Sequence, residues 1–73
     1  MRKLTPEEWD ELREIDWYLY YFPELYYASD QETRNKLEQK ARRLAVRRLE
    51  IYGYQPREIT LRELLYFPIQ RNY

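Results

Sequence analysis

Seventy-three residues without a cysteine make one small domain, 1–73, whose stability must come from burial, because neither a disulfide framework nor a thiolate metal site is open to it. Thirteen basic and thirteen acidic side chains cancel, yet residues 1–33 carry three basic groups against nine acidic ones, net −6, and residues 34–73 carry net +6. That division favours folding the acidic half onto the basic half, or pairing head to tail with another copy.

The start Met1-Arg2-Lys3-Leu4 has no apolar run behind its basic residues, so no secretory signal is expected and the cytoplasm is the expected location. Thr5-Pro6-Glu7-Glu8 then reads as a helix start: Thr at the cap, Pro in the first helical position, and Glu8 able to reach back to the Thr5 amide. Leu4 and Trp9 fall at the two positions of a hydrophobic staple. The residue before a proline is driven away from helical geometry, so Pro23 predicts that the first helix ends near Phe22, with a separate turn at 24–28.

Ser29-Asp30-Gln31-Glu32 repeats the capping pattern, with Asp30 as the alternative cap. The second helix should run to about Tyr52, where Gly53, the one glycine of the chain, reads as a left-handed stop. Thr60-Leu61-Arg62-Glu63 starts a third helix, with Ile59 and Leu64 as its staple pair and Pro68 predicting an end near Phe67. The expected fold is therefore all-α: an antiparallel helical hairpin closed at one end by a short third helix carrying Leu61, Leu64 and Leu65.

At 100° per residue, Trp9, Leu12, Ile15, Leu19 and Phe22 form an apolar stripe on the first helix, and Leu37, Ala41, Leu44, Ile51 and Tyr52 form one on the second. Asp16 and Arg48 each interrupt a stripe. Their pairing would compensate both charges, within one chain if the turn at 24–28 shifts the register, or across a dimer.

Catalytic chemistry lacks its usual parts. There is no histidine or cysteine, the single serine sits at a cap position, and acidic pairs such as Glu7 and Glu11 suit a helix N-terminus for dipole reasons alone. No enzyme, cofactor or metal site is expected. Lys36, Lys40, Arg43 and Arg47 recur along one side of the second helix and could track phosphates, but the neutral total charge and the acidic first helix compete for the same cations.

The run Trp17-Tyr18-Leu19-Tyr20-Tyr21-Phe22 is apolar all round its helix, more than one neighbouring helix can cover. Trp17, Tyr18 and Tyr21 lie farthest from the stripe and form the expected docking patch. The sequence thus points to a non-enzymatic protein–protein interaction module, a small adaptor or inhibitor of the size of a phage or mobile-element regulator. Its expected partner is itself, as a homodimer, or another protein. A nucleic-acid-binding regulator using the basic row is the alternative.

Overall fold

Three helices follow one another in the computed structural model, which describes residues 3–70 and the side chains as far as Tyr66: α1 (Pro6–Tyr27), α2 (Gln31–Tyr52) and α3 (Leu61–Gln70). The first start is written as the sequence predicts. The Glu8 amide donates to the Thr5 hydroxyl at 3.2 Å and the Thr5 amide to the Glu8 carboxylate at 3.0 Å. Thr60 and Glu63 make the same reciprocal pair at the start of α3, each bond 3.2 Å. At α2 the alternative cap is used: Asp30 accepts from the Thr33 amide at 2.9 Å, while the Ser29 hydroxyl turns back to the Leu25 carbonyl at 2.7 Å.

The two proline stops are corrected. α1 continues through Pro23 for another turn, so there is no separate turn at 24–28, and α3 runs to Gln70, past Pro68. A proline inside a helix forfeits one backbone bond and crowds the preceding turn, at about 3 kcal/mol. In α1 that loss is offset on the far side of the ring. Phe22 is fully buried, Tyr26 packs against it at 5.6 Å between ring centroids, and the last carbonyls of the helix all find donors. Arg34 supplies two of these, from Nε to the Tyr26 carbonyl at 2.8 Å and from Nη2 to the Tyr27 carbonyl at 3.3 Å, with its guanidinium 5.0 Å from the Tyr26 ring centre. A cation at the carbonyl end of a helix also opposes its dipole.

Only three residues, 28–30, separate α1 from α2, so the helices are forced into an antiparallel hairpin. α2 stops at Gly53, whose φ of 85° is the left-handed conformation that a side chain would disfavour. Arg42 then steadies the chain between α2 and α3, donating to the Ile59 carbonyl at 3.0 Å while it pairs with Glu38 at 2.7 Å. The core is Leu12, Ile15, Leu19 and Phe22 of α1 with Ala41 and Ile51 of α2, closed by Leu4, Ile59 and Leu64. Leu37, Leu44, Tyr52, Leu61 and Leu65 pack around it half-buried.

Trp9 is the exception to the expected stripe, being 51% exposed. The four buried side chains of α1 span only about 80° of its circumference, and Trp9 lies a further 60° outside that arc. Leu4 is the buried member of the staple pair instead.

Candidate functional site

The face of α1 turned away from the core carries Trp17, 66% exposed, with Tyr20 at 51% and Tyr21 at 37%. Trp17 and Tyr21, one helical turn apart, pack at 4.6 Å between ring centroids with their planes tilted by 53°, and Tyr20 meets Tyr21 edge-on at 5.1 Å. Trp9 stands two turns before Trp17 on the flank of the same face. Together with Leu12 and Asp16 below them and Tyr52 of α2 opposite, these rings border an open groove of about 560 Å³ along the seam between α1 and the end of α2.

Of the sequence-predicted patch, Trp17 and Tyr21 are brought together and Tyr18 is not. Tyr18 lies about 100° round the helix from Trp17, half-buried against the core, with the Lys40 ammonium 4.8 Å from its ring centre. Its hydroxyl is buried without a protein partner among the described residues, and burial raises its pKa above the ordinary tyrosine value. Trp9 and Tyr20 are the members that the sequence reading missed. The signal for them is the spacing of Trp9, Arg13, Trp17 and Tyr20, which recurs at three and four residues and marks a second stripe beside the core stripe.

Asp16, which lines the groove, meets Arg48, the other charge that interrupts a core stripe. Arg48 Nε donates to Asp16 Oδ1 at 2.8 Å, within one chain, and both side chains are more than two-thirds buried. The Arg48 guanidinium also lies 5.0 Å from the Tyr52 ring centre. The contact needs no shifted turn. Glu11 with Arg47 and Tyr18 with Lys40 set a register in which Asp16 faces Arg42, six residues or about 9 Å before Arg48. Side chains on a helix lean toward its N-terminus, so in an antiparallel pair Arg48 and Asp16 lean toward each other and close that offset.

The basic row of α2 is largely engaged by its own chain. Arg47 holds Glu11 with two bonds of 2.7 and 3.1 Å and has Glu50 at 3.7 Å. The Arg47 hydrogen bonds hold the Glu11 carboxyl below its usual range. Lys36 stands 4.0 Å from Glu32, and Lys40 covers Tyr18. Arg43 makes no ion pair among the described residues. The acidic half of the chain thus meets the basic half through Glu11–Arg47 and Asp16–Arg48.

A second apolar surface was not foreseen. Tyr27 at the end of α1 and Leu61, Leu65 and Tyr66 of α3 line an open groove of about 640 Å³, with Tyr27 66% and Tyr66 47% exposed. No helix among the described residues is long and apolar enough to cross a membrane. The sequence matches no protein family, no curated protein and no solved structure.

Proposed function

We propose that this protein is a non-enzymatic interaction module that docks another protein surface through the outer face of α1. The observation that carries the proposal is the grouping of Trp9, Trp17, Tyr20 and Tyr21 on one face beside an open groove. Large rings on a single patch of so small a domain are the side chains that supply binding energy when buried against a partner. The aliphatic core is complete without them, so their exposure is not a by-product of filling the interior.

Affinity capture with the intact protein, run in parallel with a Trp17→Glu/Tyr21→Glu variant, tests the reading. The wild type should retain a protein, a second copy of itself included, that the variant loses while keeping its helical circular dichroism. Equal retention by both would remove the patch from consideration. If nucleic acid is retained equally by both, the exposed Lys36, Lys40 and Arg43 of the basic row become the site.

A further inference from the structure

The aromatic face of α1 is framed by opposite charges. Arg13 and Glu24 lie eleven residues apart, about 16 Å along the helix, and both point within about 40° of the Trp17 direction. Trp17, Tyr20 and Tyr21 lie between them, centred on the midpoint of the two charges. Neither charge is well used within the chain. Among the described residues Arg13 has Asp10, at 3.8 Å with the two side chains 80% and 75% exposed, and Glu24 is exposed with no ion pair.

Arg13 shares its end of the face with the exposed Asp10 and Glu14, but it is the cation that comes level with Glu24 when a second copy of the surface is turned end over end. We propose that the protein forms a two-fold homodimer in which α1 packs antiparallel against α1 of a second copy, burying the Trp17, Tyr20 and Tyr21 clusters between two reciprocal Arg13–Glu24 ion pairs. A parallel arrangement of the same faces sets Arg13 against Arg13 and Glu24 against Glu24, so charge selects the antiparallel one. In that register Asp10 falls opposite Tyr27 rather than opposite a second carboxylate, Trp17 falls opposite Tyr20 of the second copy, and Tyr21 falls opposite Asp16, at the open groove.

The size of the surface sets the strength. A buried aromatic side chain covers about 150–250 Å². At their observed exposures of 51, 66, 51 and 37%, Trp9, Trp17, Tyr20 and Tyr21 together offer roughly 300–500 Å² per copy. A standard interface buries about 800 Å² per partner, so the flanking charges and Tyr52 are needed to approach it and the dimer should dissociate on dilution.

The inference rests on the docking role proposed above and names its partner. Sedimentation equilibrium of the full chain tests it. The wild type should shift with concentration from the 9.3 kDa of one chain towards twice that mass. Arg13→Glu and Glu24→Arg should each weaken association about tenfold, since each reversal acts at two symmetric contacts, and the double reversal should restore it to within about threefold. All three variants alter exposed charges, and circular dichroism verifies that they stay helical. A wild type that remains 9.3 kDa up to about 1 mM overturns the second copy as partner, while patch-dependent capture of a different protein would still stand. A dimer that the double reversal fails to restore overturns the antiparallel arrangement.

Discussion

The two faces of α1 use apolar residues in opposite ways. Towards α2 and α3 the helix presents Leu12, Ile15, Leu19 and Phe22, all 2% exposed or less, and only one of them is aromatic. Away from them it presents Trp9, Trp17, Tyr20 and Tyr21, all aromatic and all substantially exposed. What separates these faces is shape and chemistry: branched aliphatic chains fill a narrow seam between antiparallel helices, whereas Tyr and Trp carry a polar group that stays hydrated until a partner covers the ring.

The sharpest way to break that comparison is truncation on each face. Phe22→Ala removes the largest fully buried side chain and should cost about 3–5 kcal/mol in urea unfolding, enough to unfold much of so small a domain. Trp17→Ala, under dilute conditions where the chain is monomeric, should change stability by less than about 0.5 kcal/mol. A comparable loss at both positions would mean that the outer face supports the fold rather than a partner.

The Asp16–Arg48 pair beside the groove comes next. Asp16 and Arg48 are more buried than a surface pair and less than a core pair, so a double-mutant cycle of Asp16→Asn and Arg48→Met should give a coupling of about 1 kcal/mol. Effects that add within roughly 0.3 kcal/mol would show two independent side chains.

The smallest effect is expected at the start of α3, far from the aromatic face. Arg57, the Thr60 amide and the Thr60 hydroxyl hold the Glu63 carboxyl down to about 2. A depressed carboxyl stabilises the fold above its unfolded value of 4.5 and loses that contribution as the pH falls through the interval down to about 2. Melting temperature followed over that interval should drop more gently in Glu63→Gln than in the wild type. Identical acid profiles would place the acid sensitivity elsewhere, Asp30 and Glu11 also being depressed carboxyls.

Much of the architecture was legible because it is set by short-range chemistry. Thr5 with Glu8, Thr60 with Glu63, and Gly53 act within four residues of themselves, and each does in space what its spacing predicts. Pro23 misled because a local preference was outweighed by a distant contact: Arg34, in the next helix, holds the carbonyls of the turn that the proline weakens. Tyr18 and Trp9 changed places relative to expectation for an angular reason. Each sits at the margin of the core arc, on opposite sides, and only the position of the neighbouring helices decides which margin is covered. Asp16 and Arg48 stood out in the sequence as charges in apolar stripes, but their meeting depended on the lean of side chains along antiparallel axes.

The Arg34 clasp bears on the order in which the chain folds. Its partners Tyr26 and Tyr27 lie eight and seven residues away, so closing that corner costs little loop entropy, whereas Arg47 must find Glu11 across thirty-six residues. Contacts of short sequence separation form first when other things are equal. The corner at 26–34 is thus the natural place for the hairpin to begin, with the helices zipping outward from it and α3 docking last. Weakening Arg34 should therefore slow folding, whereas weakening α3 should chiefly hasten unfolding.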